Sequence, residues 1–137
     1  MSALAADRQT LSREDGAYRV LGVAAGKKIY AGALTLISAT GLLEPGQAAV
    51  GLICAGRSEY QADNSLGADG AITTRVRRGI FAWANSAAAD AISNANIGQT
   101  VYVVDDQTVA LTNGGNTRSA AGRVFLVDAS GVWVETL

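Results

Sequence analysis

From Tyr18 onward, short apolar runs alternate with glycine-rich punctuation, the pattern of strands joined by turns. Residues 18–23 predict a first strand, closed by Ala24-Ala25-Gly26. Residues 28–30 and 33–38 predict two more, flanking Gly32 as a bulge or tight bend. Thr40-Gly41 and Glu44-Pro45-Gly46 read as turns, the second holding the only proline. Residues 48–55 form a nearly continuous apolar run, which predicts a strand buried on both faces. The polar stretch 57–70 predicts a long loop suited to function. Next, Ile72, Thr74 and Val76 alternate with Thr73, Arg75 and Arg77, so residues 71–78 predict a strand with one covered face. Gly79 then predicts a bulge that re-aims Ile80-Phe81-Ala82-Trp83.

Residues 86–97 carry the one helix-like pattern, with Ser86 as cap, alanines at 87, 88, 89 and 91, and Gly98 as stop. Residues 100–104 and 108–111 predict a hairpin about Asp105-Asp106-Gln107, followed by a flexible tip at Asn113-Gly114-Gly115-Asn116. Residues 123–127 and 132–135 predict a last hairpin through Asp128-Ala129-Ser130-Gly131. The expected fold is all-β: a small β-barrel or sandwich (β-tulip-like or jelly-roll-like) with one short helix and an extended N-terminal arm.

That arm is residues 1–16, polar, without a sustained period, and ending in the turn signal Glu14-Asp15-Gly16. Two readings stand open: a frayed terminus, or an arm that orders on a neighbouring subunit. Residues 17–137 fit a single β-rich domain, since 137 residues leave no room for a second core. Charged residues are 17% of the chain against the usual quarter or so, which suggests an exterior partly covered in the working state. A net charge of −1 argues against general affinity for nucleic acid or anionic membrane. The N-terminus lacks the apolar run of a signal peptide and no stretch is long and apolar enough for a membrane span, so a cytoplasm-like compartment is expected.

The chemistry-bearing residues are sparse. Histidine is absent, which removes the commonest general base and metal ligand. The single Cys54 sits in an apolar run and is expected in the core; one cysteine assembles neither a disulfide nor a thiolate zinc site. Residues 22–28 resemble a phosphate-binding loop only faintly, being one residue short, with Lys28 where a Ser or Thr should stand. Asp105 and Asp106 are better turn residues than an acid–base pair, because neighbours in a strand point to opposite faces. A carboxylate pair of Glu59 with Asp63 or Asp90 stays open, with nothing to indicate it. Trp83 and Trp133 are expected in the core. Arg75, Arg77 and Arg78 form the densest basic cluster, read as a solvated strand face, as a contact surface or, less well given only Trp83 and Phe81 nearby and a negative net charge, as a nucleic-acid site. No enzyme, cofactor or metal is expected.

Several segments together resemble a known family: Lys28-Ile29-Tyr30-Ala31-Gly32-Ala33-Leu34, then Val76-Arg77-Arg78-Gly79-Ile80-Phe81 with Asn85-Ser86. Further on come Ile97-Gly98-Gln99-Thr100-Val101-Tyr102-Val103-Val104-Asp105-Asp106 and Val127-Asp128-Ala129-Ser130-Gly131-Val132-Trp133-Val134. In this order they resemble the capsid decoration (cement, head-stabilising) proteins of Mu-like tailed bacteriophages and prophages, from about Ala5 to the C-terminus. The resemblance implies a β-rich virion protein on the outer surface of the head. It would bridge capsomers of the major capsid protein as a homotrimer, or else a dimer, after being made in the host bacterial cytoplasm. It carries over no catalytic residues and no map of shell contacts.

The expected capsid or subunit contacts therefore rest on chemistry: Asp7, Arg8 and Arg13 in the arm, Arg57, Glu59 and Tyr60 in the loop, and Arg75, Arg77 and Arg78. The rival readings are a free-standing β-barrel binding module for a glycan or protein, using Trp83, Trp133 or Tyr60, and another virion part such as a head–tail joining or tail protein.

Overall fold

A computed structural model describes residues 2–11, 13 and 16–137. The turn expected at Glu14-Asp15-Gly16 falls mostly outside them. The described residues of the arm, 2–11, 13 and 16, are all exposed and lie in no strand.

Two five-stranded antiparallel sheets and one two-stranded sheet account for the fold. Sheet I is ordered β1 (Tyr18–Gly22), β7 (Thr73–Arg77), β5 (Ile53–Ser58), β3 (Leu34–Ile37) and β4 (Leu43–Pro45). Sheet II is ordered β10 (Val109–Ala110), β9 (Thr100–Val103), β11 (Ala120–Asp128), β12 (Gly131–Glu135) and β8 (Ile80–Trp83). The small sheet pairs β2 (Lys28–Ile29) with β6 (Ala62–Asp63). The all-β expectation holds, as a sandwich and not as a closed barrel. Each large sheet nevertheless curls until its edge strands meet at one parallel bridge. These bridges are Val23 to Leu43 in sheet I and Ala84 to Thr108 in sheet II.

Alternation in β3 explains how the sheets are held. Leu34 and Leu36 face sheet II and join Cys54, Trp83, Val101, Val103, Val109, Val124, Val132 and Val134 in the larger core. Ala33 and Ile37 face the other way, toward the smaller core of Val23, Ile29, Leu43, Ala55, Ala62 and Val76. A strand buried on both sides ties the two cores together, and each fully buried aliphatic side chain contributes about 1.5–3 kcal/mol.

Four expectations are corrected. Residues 86–97 are not a helix but two single 3-10 turns, Ala88–Asp90 and Asn94–Asn96. Ser86 spends its hydroxyl on the Val109 carbonyl instead of capping. Asn85 bonds both the amide and the carbonyl of Ile92, pinching the segment into a loop. Ser93 and Asn96 close their own box around one turn, and so short an alanine run offers no apolar stripe to offset helix nucleation.

The apolar run 48–55 is a strand only from Ile53. Ser119 clamps residues 49–52 as a loop, its hydroxyl donating to the Ala49 carbonyl and accepting from the Leu52 amide. Ile53 itself is 63% exposed, so this strand is not buried on both faces throughout. Finally, Gly79 makes no bulge within a strand. It is where the chain crosses from β7 of sheet I to β8 of sheet II. The expected loop 57–70 is also shorter, because Arg57 and Ser58 end β5 and Ala62–Asp63 forms β6.

Candidate interaction face

The side of sheet I that β3 and β5 press onto sheet II continues across β7 and β1, beyond the β8 edge. Register shows which side chains it carries there. Tyr18 is paired with Arg77 and Val20 with Arg75, while Arg57 lies across from Arg77 on one side and from Leu34 on the other. Paired residues in a ladder share a face. Tyr18, Val20, Arg57, Arg75 and Arg77 are therefore on the same side as Leu34, which is fully buried in the larger core. Thr74, Val76 and Leu21 take the opposite side. The period-two pattern of residues 71–78 is the local cause: alternate positions fill the smaller core, and the arginines are left facing out over a ledge.

A glycine makes the ledge close up. Ala55 is the extra residue of a bulge in β5, and Gly56 follows it at φ +107. A Cβ on Gly56 would overlap the Arg77 carbonyl. Only glycine lets β5 and β7 approach so that Arg57 and Arg77 stand opposite each other.

Two like charges facing across a ladder repel, and Glu59 relieves this. Its Oε1 accepts from Arg57 Nη2 at 2.8 Å and lies 3.6 Å from Arg77 Nε. The hydrogen bond from Arg57, backed by the fields of Arg57, Arg77 and Arg75, holds the Glu59 carboxyl below its ordinary value against a modest opposing effect of burial. An ion-paired carboxylate held below its ordinary value suits a contact surface better than proton transfer near neutral pH.

Aromatic rings fix the guanidiniums. The Tyr18 ring receives Arg75 at 4.0 Å, Arg13 at 5.2 Å and Arg77 at 5.7 Å from its centroid. Arg57 lies 4.6 Å over Phe81 of β8, which in turn meets Trp83 edge-on at 6.2 Å. A continuous line thus runs from the half-buried Arg57 into the larger core. Each cation–π contact at such half-exposed sites contributes about 0.5–1 kcal/mol.

The structure brings Arg13, Arg57, Glu59, Arg75 and Arg77 together. Arg78 sits beside them at the arm's exit, its amide and its guanidinium donating to the carbonyls of Ala17 and Gly16. Asp7 and Arg8 are exposed on the arm. Tyr60 is 60% exposed, with its carbonyl accepting the Ser58 hydroxyl. Sequence reasoning gave no part to Tyr18, which organises three of the arginines, nor to Phe81 and Val20. The alternation in residues 18–23 hints at a face, but only long-range register reveals whose.

The other places where chemistry was sought are structural. Asp105 accepts from the Gln107 amide, as a turn residue does. Asp63 is held by Ser65, and Asp90 by Thr112 and by Arg118 at 3.2 Å, so neither is paired with Glu59. The loop at residues 22–28 leads into β2, and its Gly26 amide is engaged by the Asn64 carbonyl. Trp83 is buried, whereas Trp133 is only half-buried and donates to Asp128 at 2.9 Å. Burial pushes the Cys54 thiol up to about 11. Among the described residues no cluster of metal-ligating side chains is found, and no helix is long and apolar enough to cross a membrane. In the comparisons with known proteins, no family model, no curated protein and no solved structure matches this chain.

Proposed function

We propose that this chain is a non-enzymatic structural protein of a tailed bacteriophage virion, one that decorates the outside of the head and bridges capsomers of the major capsid protein. The single observation that carries the reading is the union of arm and face: an exposed N-terminal segment whose Arg13 stacks on Tyr18, beside a ledge of ring-held arginines. A segment that orders on docking extends an interface at the moment of binding, and its entropy cost falls only then. The order of motifs, which resembles that of decoration proteins, suggests the kind of partner.

In this reading the working form is an oligomer, a homotrimer first. Several weak ledges acting together on a repeating lattice raise avidity about 10²- to 10⁴-fold without any new contact. An isolated capsid subunit, offering one site, is then bound poorly and the ordered shell well.

Purified protein mixed with expanded heads of the matching phage should co-sediment and raise the temperature at which the heads release DNA. Protein that stays in the supernatant, or labels only a ring at the tail vertex, overturns the assignment.

A further inference from the structure

Away from the arginines, two turns meet and leave side chains with nothing to bond. The link from β2 to β3 is tight: the Ala33 amide donates to the Tyr30 carbonyl at 3.1 Å, and Gly32 supplies a φ of +84 at the third position. The Gly32 amide is anchored in turn on the Ser58 carbonyl of β5. Against this turn lies the tip of the β9–β10 hairpin, whose backbone is pinned from both sheets. The amides of Leu34 in sheet I and of Ala84 at the end of β8 donate, each at 2.8 Å, to the carbonyls of Asp106 and Gln107. A Cβ on Gly46 would overlap the Asp105 carbonyl, so the tip is closely packed there too.

Between turn and tip lies an open cleft of about 300 Å³, lined by Tyr30, Ala31, Gly32, Ala33, Asp106 and Gln107. Its walls are held by main-chain bonds, and its side chains are left over. Asp105 accepts from the Gln107 backbone amide. The Asp106 carboxylate, the Gln107 carboxamide and the Tyr30 hydroxyl have no hydrogen-bond or ion-pair partner among the described residues. Tyr30 is 56% exposed, with Lys28 Nζ over one face of its ring, 5.0 Å from the centroid.

We propose that this cleft binds a neutral sugar, one pyranose unit of a glycan, a function beyond head decoration. Two adjacent hydroxyls of the sugar donate to the Asp106 carboxylate, the Gln107 carboxamide bonds a third, and the C–H face of the ring stacks on the Tyr30 face that Lys28 leaves. Three features select this occupant. Hydroxyls both donate and accept, and so match a carboxylate, a carboxamide and a phenol converging in one place. Sugar C–H groups carry partial positive charge, which the negative face of an aromatic ring attracts. Ionic ligands are disfavoured: a cation would share the Tyr30 ring with the Lys28 ammonium, and an anion would face Asp105 and Asp106. The size is at the lower end of small-molecule pockets, suited to one sugar unit, and the pinned backbone means that little ordering accompanies binding. In the head-decoration reading, many copies on one shell would multiply a weak single-site affinity for a glycan-coated surface.

The test is a nitrogen-15 NMR titration of the full chain with the methyl glycosides of glucose, galactose, mannose and N-acetylglucosamine. Tetramethylammonium and inorganic phosphate serve as cationic and anionic controls. At least one glycoside should shift the amides of Gly32 and Ala33 and the side-chain amide of Gln107, saturably, with a Kd on the order of 1–10 mM. Tyr30→Ala and Asp106→Asn should each weaken that binding about tenfold, the first by removing the platform and the second a charge-assisted acceptor. Tyr30→Phe, which keeps the ring, should stay within a few-fold. Backbone spectra establish that the variants are folded; should Tyr30→Ala lose its fold, Asp106→Asn, which preserves shape, decides. Saturable shifts with none of the four glycosides, shifts centred elsewhere, an affinity that Asp106→Asn or folded Tyr30→Ala leaves unchanged, or a stronger response to either ionic control overturns the proposal. Failure of the titration leaves the co-sedimentation test of head binding untouched. Sugar binding by a protein that ignores expanded heads upholds the cleft and sinks the virion assignment instead.

Discussion

The two large sheets share a plan and differ in what they expose. Both have five antiparallel strands, both curl until their edges touch at one parallel bridge, and both use a positive-φ glycine at a register shift to seat one strand against a neighbour's carbonyl. In sheet II that glycine is Gly122, against Glu135. Sheet II closes over the larger core and takes Trp83 into it. Sheet I, wider than the strip sheet II covers, leaves its β1–β7 end bare and fills it with arginine. Stability is thus concentrated where the sheets overlap, and under the proposed function recognition falls where they do not. Changes in the overlap should cost folding, and changes on the overhang should cost binding.

The strongest way to break that comparison is Trp83→Ala. It should lose about 3–5 kcal/mol in urea unfolding, as large aromatic truncations in cores do. Arg77→Gln on the overhang should stay within about 1 kcal/mol. If the arginine change proves the costlier, the division of labour is wrong. Next in size, Gly56→Ala combines a disfavoured φ with overlap on the Arg77 carbonyl and should cost about 1–3 kcal/mol. Because it moves β5 against β7, it should also weaken attachment to expanded heads, which Gly122→Ala in sheet II should not.

Removing residues 2–11 sharpens the comparison from outside both sheets. These residues are exposed, so the unfolding midpoint should barely move, while attachment to expanded heads falls. Loss of the fold would show that the arm belongs to the domain.

Acid should reach the two regions together. Glu59, Asp63 and Asp90 all have folded-state values held below their ordinary ones. For Glu59 the main cause is the Arg57 hydrogen bond, and for Asp63 and Asp90 the hydroxyls of Ser65 and Thr112. Groups depressed on folding stabilise above their ordinary values, 4.5 for Glu and 3.8 for Asp, and that support disappears as pH falls through the folded values. Thermal midpoints should be flat near neutrality and decline below about pH 4.5, with Glu59→Gln already lowered at pH 7 and declining less. The smallest effect is expected at Cys54. With its thiol pushed up to about 11, it should resist alkylation at pH 8 until the protein unfolds.

Most strands were legible in the sequence because alternation is a local signal. The run from Ile72 to Arg77 and the final hairpin through Asp128 and Gly131 fold as their pattern predicts. The failures come from side chains that choose distant partners. Ser86 and Asn85 are spent on Val109 and Ile92, dismantling a helix that alanine content favoured. Ser119, far along the chain, keeps residues 49–52 out of β5. The candidate face was half legible for the same reason. Its arginines are conspicuous at 75 and 77, but Tyr18 and Arg57 join them through strand register, and no local pattern encodes register between segments about 20 to 60 residues apart.

The bridges at Val23–Leu43 and Ala84–Thr108 bear on how copies can meet. A bridge between the first and last strands of a sheet covers part of the edge backbone that would otherwise be a template for a foreign strand. Crowded subunits are therefore steered away from fibre-like stacking through main-chain ladders. In the proposed assembly, copies and lattice would then meet through side-chain surfaces, where geometry can be proofread and a wrong encounter can dissociate.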